Sequence, residues 1–182
     1  ILIDDKKNTF KLADANTKYN ADYTFFDYMW AYDLSYEIIW RIGFTETSYG
    51  SPLGTVFLNF TKDLTYYYPD YVPATAALNL YDAADLRYSG YFAGKEQGLT
   101  IGYTNGLDWP MLVKYYGNRN FTSKLIFHVS MPKPFRLAEQ YLIRAEAYCR
   151  KNDFTKAGND LTALRKMRYA SGGTLNVSKN NW

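Results

Sequence analysis

The sequence predicts a mainly α fold, in which a helical hairpin forms the framework beside a loop-rich aromatic region with short strands. Two stretches near the C-terminus repeat apolar residues every three or four positions, whereas the first 130 residues carry short apolar runs broken by Gly and Pro. Val and Ile together number only 13 of the 182 residues. A large parallel sheet is therefore disfavoured, because its buried strands are rich in these residues.

The N-terminal part of the chain predicts short elements only. Residues 22–34 are rich in aromatics and predict a helix, and residues 37–42 predict a strand that ends at Gly43. A second strand is expected at 56–60 and a helix at 74–81. Five glycines are dispersed between residues 89 and 106, which indicates a long loop or a loose hairpin. Trp30 and Trp40 lie on periodic segments and are expected in the core.

The C-terminal part predicts two helices in succession. The first runs from Phe135 to about Arg150, after two prolines, and the second runs from Phe154 to Met167, after Asn152 and Asp153, either of which can cap it. About three residues join them, so we expect the helices to pack antiparallel, as in tetratricopeptide-like hairpins. Such hairpins need neighbouring helices to bury their faces, and we expect those neighbours elsewhere.

Charge and composition exclude several classes of protein. The net charge of +3 is concentrated in residues 133–168, where basic side chains between apolar positions predict a solvated helix face and no nucleic-acid partner. A single cysteine, Cys149, and a single histidine, His128, exclude a disulfide framework, a thiolate zinc site and two-histidine metal motifs. We expect no cofactor and assign no metal site; calcium in the loops stays open, although no acidic ligand loop of recognisable spacing is present. No apolar run is long enough to span a membrane.

The 34 aromatic residues, 19% of the chain, suit a sugar-binding surface. The C–H faces of pyranose rings stack on flat aromatic rings, while nearby polar groups bind the hydroxyls. Trp109 lies in a stretch without helical or strand period, so its ring has no obvious core face and is the first candidate platform. Asn105 and Asp108 beside it are candidate hydroxyl ligands, with a turn-forming Asn-Gly and a local cap as the alternative.

A second set of candidate ligand-binding residues is tyrosine-rich. Three consecutive tyrosines cannot all face inward in an extended segment, so at least one should reach solvent. These candidates are Tyr66, Tyr67 and Tyr68, with Tyr49 and Tyr71 nearby.

Catalysis is not expected. Asp82, Asp85 and Arg87 are close in sequence, but glycosidase carboxylates must flank a bond from separate elements. A structural ion pair between Asp85 and Arg87 is the preferred interpretation. His128 has no accompanying nucleophile motif and is interpreted as a partly buried structural histidine.

Three motifs resemble the SusD/RagB family. Arg136-Leu-Ala-Glu-Gln-Tyr-Leu-Ile-Arg-Ala-Glu-Ala-Tyr148, followed by Phe154, Ala157 and Asp160-Leu-Thr-Ala-Leu-Arg165, closely resembles the late helical hairpin of that family. Ser35-Tyr36-Glu37-Ile38-Ile39-Trp40 is similar to its Ser-x-Glu-Ile-Ile-Phe strand, and the stretch from Pro73 through Leu80-Tyr81-Asp82 to Asp85-Leu86-Arg87 is similar to its Asp-x-Arg segment. The motifs stand in family order and cover roughly residues 35–168.

The resemblance implies a non-catalytic, surface-exposed lipoprotein of the Bacteroidetes outer membrane. Such a protein captures glycans, or less often peptides, for a SusC-like TonB-dependent transporter. In this family the glycan-contacting aromatics come from loops between the strand and the Asp-x-Arg segment. The lipobox cysteine, the earlier helices and the terminal motif are absent, so we interpret the chain as a middle-to-late fragment with its lipid anchor elsewhere.

The chain is interpreted as a single SusD-like domain fragment, 1–182. It divides into an aromatic N-terminal segment (1–34), a loop-rich region with short strands (35–130), the helical hairpin (131–170) and the start of a variable loop (171–182). Two other classes of function remain open. A peptide-binding scaffold would place its contacts in the groove of the hairpin, and a glycoside hydrolase would require a pair of carboxylates.

Overall fold

The computed structural model describes residues 3–4, 9–45, 53–59, 66–103, 108–124 and 129–182. The regular elements in these ranges are helices and a few short strands, in agreement with the predicted mainly α class. In chain order the elements are α1 (Phe25–Tyr32), β1 (Ile38–Trp40), α2 (Leu53–Phe57), α3 (Thr75–Leu78), α4 (Arg87–Tyr91), β2 (Phe92–Ala93), β3 (Met111–Leu112), β4 (Phe135–Arg136), α5 (Leu137–Arg150) and α6 (Phe154–Lys166). Single 3-10 helices lie at Lys95–Gln97, Val113–Tyr115 and Arg119–Lys124.

The two C-terminal helices form as predicted and pack against each other. Asp153 caps α6, since its side chain accepts a hydrogen bond from the Lys156 backbone N–H. Ala145 and Ala157 are buried in the cluster that joins the helices, and such small side chains allow close approach of the two backbones. α5 starts two residues later than predicted, because Phe135 and Arg136 pair as a strand.

Strand β1 pairs antiparallel with β4, and this pairing places Trp40 opposite Phe135. The two rings lie 5.8 Å apart between centroids, and the residues are 52% and 51% exposed. The expectation that Trp40 lies in the core is therefore wrong. The register shifts between Ile38 and Trp40, and such an irregularity turns a side chain away from the face that its alternation predicts.

Helix α1 anchors the N-terminal core. Thr24 caps it by accepting from the Asp27 N–H, while the Asp27 side chain accepts from the Thr24 backbone, which forms a capping box. Phe26, Met29 and Trp30 are buried against two alanines that precede the helix. The helix predicted within 22–34 and the burial of Trp30 are both confirmed.

The middle of the chain differs from its prediction in one element. Residues 53–57 form helix α2, so the expectation of a strand that starts at residue 56 is wrong at its start. A short apolar run occurs both in strands and in buried helical turns, so the sequence alone does not distinguish the two. Helix α3 lies inside the predicted 74–81. Strand β2 pairs antiparallel with β3 across the glycine-rich stretch, which is the loose hairpin expected there.

Two buried carboxylates connect the N-terminal core to the C-terminal part of the chain. Glu37 accepts from the Arg168 guanidinium at 2.6 Å, from Arg136 at 3.1 Å and from the Ala13 N–H at 2.7 Å. Asp33 pairs with Lys133 and also accepts from the Met131 N–H at 3.1 Å. Both carboxylate side chains are fully buried, so these partners are needed to offset their loss of water.

Candidate functional site

The structure places Trp109 against the core of the loop-rich region. Its ring packs on the cluster that contains Leu58 and Met111, and its indole N–H donates to the Pro73 carbonyl at 2.8 Å. The expectation that this ring has no core face is therefore wrong, although part of it still reaches solvent. Asp108 beside it is exposed, and Asn105 lies outside the described residues. A role of Trp109 in ligand binding stays a prediction.

The candidate tyrosines divide between surface and core. Tyr66 and Tyr71 are exposed, the latter by 67%, whereas Tyr67 is buried in the core of the loop-rich region. Burial, followed by hydrogen bonding to Tyr116, raises the pKa of Tyr67 above its ordinary value. The expectation that at least one of the three consecutive tyrosines reaches solvent is confirmed. Tyr49 lies outside the described residues.

Tyr68 is intermediate in exposure between the surface tyrosines and the buried Tyr67. It is half-buried and its ring meets the edge of Tyr103, with 5.4 Å between centroids and 81° between planes. The Tyr103 hydroxyl in turn donates to the Pro69 carbonyl at 3.1 Å. A Cβ built on Gly102 would lie 2.4 Å from the Tyr68 ring. Only glycine therefore lets this ring take its place.

A further aromatic surface lies on the N-terminal segment, which contains none of the candidate site residues predicted from the sequence. It is an open groove of about 670 Å³, here called the aromatic groove, formed around the exposed face of α1. Its lining residues come from three short segments: Lys11, Leu12, Ala13, Asp14, Thr17, Tyr19, Phe25, Tyr28, Leu34, Ser35 and Tyr36.

The rings of the aromatic groove hold one another in place. Tyr19 lies 3.9 Å from Tyr28 between centroids, at 32° between planes, and 5.4 Å from Phe25 in an edge-to-face contact. A hydrogen bond with Tyr19 is the first cause that raises the pKa of Tyr28, with burial second. Tyr36, at the end of the groove, is 70% exposed. Fixed rings with open faces provide stacking platforms at low entropic cost.

Polar groups surround these rings. The Asp14 carboxylate accepts from the Thr17 hydroxyl at 2.6 Å and from the Asn16 N–H at 2.8 Å, which fixes its position. The Ser35 hydroxyl accepts from the Glu37 N–H at 3.1 Å and can still donate its own proton. Lys11 adds an exposed cation. The groove thus combines apolar faces with donors and acceptors, as a sugar-binding surface requires.

Comparison with solved structures shows what this fold is similar to. Surface glycan-binding protein A from Bacteroides uniformis superposes on 98% of this chain with a TM-score of 0.65, at 16% sequence identity. The two chains share a fold. The match covers 38% of that protein, so this chain spans well under half of its length. Such a likeness supports a SusD-like fold. No family profile and no curated protein matches the sequence.

The predicted ion pair between Asp85 and Arg87 is present. The Arg87 guanidinium donates to both carboxylate oxygens, from Nε to Oδ1 at 2.8 Å and from a terminal nitrogen to Oδ2 at 2.5 Å. Burial raises the pKa of Asp85, but its hydrogen bonds to Arg87 outweigh burial and the net direction is downward. The carboxylate is therefore a fixed anion with both oxygens occupied, as expected of a structural pair.

Neither a cluster of metal-ligating side chains nor a membrane-spanning helix is found in the described part of the chain. Within those ranges no three side chains of His, Cys, Asp or Glu come together as a set of metal ligands. The helices described there are too short or too polar to cross a bilayer. His128 lies outside the described residues.

The sequence does not predict the aromatic groove, because the residues that line it come from separate segments of the chain. Tyr19, Phe25 and Tyr36 precede, begin and follow α1, and no pattern in the sequence indicates that they meet. One signal was available. Phe25, Tyr28 and Tyr32 recur at spacings of three and four, which predicts an aromatic stripe along one helix face.

Proposed function

We propose that this protein binds extracellular glycan at the cell surface without catalysis. The observation that carries the proposal is the aromatic groove, in which Tyr19, Phe25 and Tyr36 expose rings beside fixed polar groups. Its volume of about 670 Å³ is within the range of clefts that hold several-ring ligands. The name of the matched structure, a surface glycan-binding protein, points to the same ligand class.

Tyr66, Tyr68 and Tyr71, here called the tyrosine surface, are proposed as a second contact for a long glycan. Tyr66 and Tyr71 expose their rings there, and Asp108 and the solvent-facing part of Trp109 belong to the same loop-rich region. A polysaccharide is long enough to use more than one contact surface, and two weak contacts on one chain reinforce each other.

Delivery to a transporter is the physiological role that the sequence resemblance favours. We propose that the protein belongs to the SusD/RagB family of Bacteroidetes and passes its glycan to a SusC-like TonB-dependent transporter. In this proposal a lipid anchor holds the protein at the outer membrane.

Affinity electrophoresis tests the glycan proposal. The protein is run through native gels that contain one polysaccharide each, beside Tyr36→Ala, Tyr71→Ala and Trp109→Ala. Leu80→Ala, an equally exposed apolar change outside both surfaces, is the matched control. We expect at least one polysaccharide to retard the protein, and Tyr36→Ala to lose that retardation while Leu80→Ala keeps it. Free migration of the protein through every gel would contradict the proposal.

Peptide capture is the second candidate function. Leu142 and Ile143 on α5 expose about half of their surface, which is the kind of helix face that a peptide or a further helix covers. A tetratricopeptide-like scaffold would use this face. Retardation by a polysaccharide that survives Leu142→Ser would favour the glycan over this candidate.

A further inference from the structure

A second, smaller cavity lies on the other side of α1 from the aromatic groove. Its volume is about 210 Å³. Phe25 and Tyr28 project toward the groove, whereas Asp27 and Trp30, about half a helical turn away, line the cavity. The other lining residues are Asp22, Tyr23, Ala31, Ser89, Gly90, Val113, Tyr116, Gly117 and Arg119. The two spaces share no lining residue.

Trp30 is the first observation that points to a ligand. The residue is only 7% exposed, and its indole N–H has no hydrogen-bond acceptor among the residues that the structure describes. Buried donors in folded proteins nearly always have a hydrogen-bond partner, because a donor that loses its hydrogen bond to water without gaining another destabilises the fold. An acceptor atom of a bound molecule would supply the missing partner.

Two carboxylates, which are hydrogen-bond acceptors, line the same cavity. Asp27 uses Oδ2 to accept from the Thr24 hydroxyl at 2.7 Å, whereas in the described part of the chain nothing donates to its Oδ1. That oxygen lies beside Gly90, where a built Cβ would be 2.7 Å from it. Asp22 is exposed, and its carboxylate accepts no hydrogen bond from the described residues. These oxygens can accept from hydroxyl groups of a ligand.

Aromatic rings and a cation complete the lining. The Arg119 guanidinium lies 3.8 Å from the centroid of the Tyr116 ring, and Tyr23 contributes a further ring. Residues that carry N–H donors, carboxylates and aromatic rings therefore line one small space. This combination suits a neutral ring that carries several hydroxyl groups, since each hydroxyl both donates and accepts.

Size restricts the ligand further. The volume is below the roughly 300–1,000 Å³ of clefts that hold drug-sized molecules and corresponds to about seven water molecules of liquid volume. We propose that this cavity binds a single neutral sugar ring, as a free monosaccharide or as the end of a chain. The proposal goes beyond capture of a polymer in the aromatic groove and does not depend on it, because the two spaces are separate.

NMR of the indole groups tests the proposal directly. The chain has four tryptophans, so the ¹⁵N-labelled protein gives four indole N–H signals, and Trp30→Phe assigns one of them to Trp30. The protein is titrated with glucose, galactose and mannose, and separately with calcium chloride. We expect at least one sugar to shift the Trp30 signal saturably. Asp22→Asn should weaken that binding about tenfold, because it replaces a charge-assisted acceptor.

Matched variants separate this site from the groove and from general effects. Asp70→Asn changes an equally exposed carboxylate elsewhere and should leave the sugar affinity unchanged. Tyr36→Ala should also leave it unchanged, even if it abolishes retardation in polysaccharide gels, so the two proposals can fail independently. Gly90→Ala should abolish the shift, since its Cβ displaces Asp27 Oδ1.

Two results would overturn the proposal. One is a Trp30 signal that stays in place at every sugar concentration up to saturation of the solution. The other is a Trp30 signal that calcium chloride shifts and none of the sugars does, which would make the cavity a cation site.

Discussion

Glu37 and Arg168 form a buried ion pair at 2.6 Å although 131 positions separate them in the sequence. The same carboxylate binds Arg136, and the same guanidinium donates to the Ala13 carbonyl, so one pair connects the first core residues to the end of the helical hairpin. Arg168 also lies over the Phe26 ring, at 4.5 Å from its centroid. The N-terminal segment is thereby fastened to the C-terminal part.

Replacement of Glu37 should destabilise the whole chain. Glu37→Gln leaves two guanidinium groups without their anion, and loss of one partner of a buried pair costs about 3–5 kcal/mol. Urea unfolding followed by circular dichroism measures this cost. Glu146→Gln, which breaks an exposed pair with Arg150, is the control and should cost less than about 1 kcal/mol. Similar costs for the two variants would contradict a structural role of the buried pair.

Lys114 should make stability depend on pH in the alkaline range. Its ammonium lies over three rings, the nearest being Trp30 at 4.2 Å, and burial, followed by the charges of Arg136 and Lys133, lowers its pKa to about 8. The unfolded chain keeps this proton up to about pH 10.4, so it binds more protons than the folded chain between these values. The contribution of Lys114 to the free energy of unfolding should therefore rise with pH from about 8 to 10.4.

Lys114→Met removes this dependence. At pH 7 the variant should be more stable than the parent protein by on the order of 1–2 kcal/mol, since the relief of burial exceeds the lost attraction to the rings. The advantage should shrink as pH passes from 8 to 10. Thermal unfolding at several pH values measures it, with the exposed Lys151→Met as control. A gap between Lys114→Met and the parent that stays constant over this range would contradict the expectation.

Gly102→Ala should disturb the tyrosine surface. The added Cβ would overlap the Tyr68 ring, and overpacking of this kind costs about 1–3 kcal/mol. Gly43→Ala meets nothing within 4 Å and is the matched control. The double variant Gly102→Ala/Tyr68→Ala should lose less stability than the two single changes added together, because the overlap disappears with the ring. Strict additivity of the two costs would show that the contact does not exist.

Trp109→Phe tests how much the indole N–H of Trp109 contributes to stability. The variant keeps an aromatic ring but loses the hydrogen bond to the Pro73 carbonyl, at a cost of about 1 kcal/mol in stability. Trp40→Phe, at an exposed tryptophan, should cost less than about 0.5 kcal/mol. Chemical unfolding of both variants gives the comparison. An equal cost for the two would mean that the indole N–H of Trp109 contributes nothing to the fold.

Elements with long periodic patterns were predictable from the sequence. Helices α5 and α6 follow from apolar spacings sustained over more than ten residues and from a three-residue connection. Shorter runs were not. Val56 and Phe57 proved helical, and Trp40 faces solvent, because a run of three to five apolar residues fits either element and a register shift changes the face that it presents.

The candidate site was less predictable than the fold, since tertiary contacts assemble it. Composition indicated an aromatic surface but not its location. The sequence around Trp109 has no periodic pattern that indicates a core face, because the partners of this ring, Pro73 and the cluster around Met111, are supplied from elsewhere in the chain. The aromatic groove joins residues on both sides of α1 that no local pattern connects.

The ion pair between Glu37 and Arg168 has a further consequence for the order of folding. Contacts within the α5–α6 hairpin close short loops, such as the 16 positions between Arg144 and Asp160, whereas the Glu37–Arg168 pair closes a loop of 131 positions. Non-local contacts form slowly, because the entropy of closing the loop is lost before the contact is gained. The hairpin can therefore form early, whereas the contacts of Ala13 and Ala15 with Arg168 and Met167 form later. Attachment of the N-terminal segment, with the aromatic groove that it carries, is thus expected late in folding.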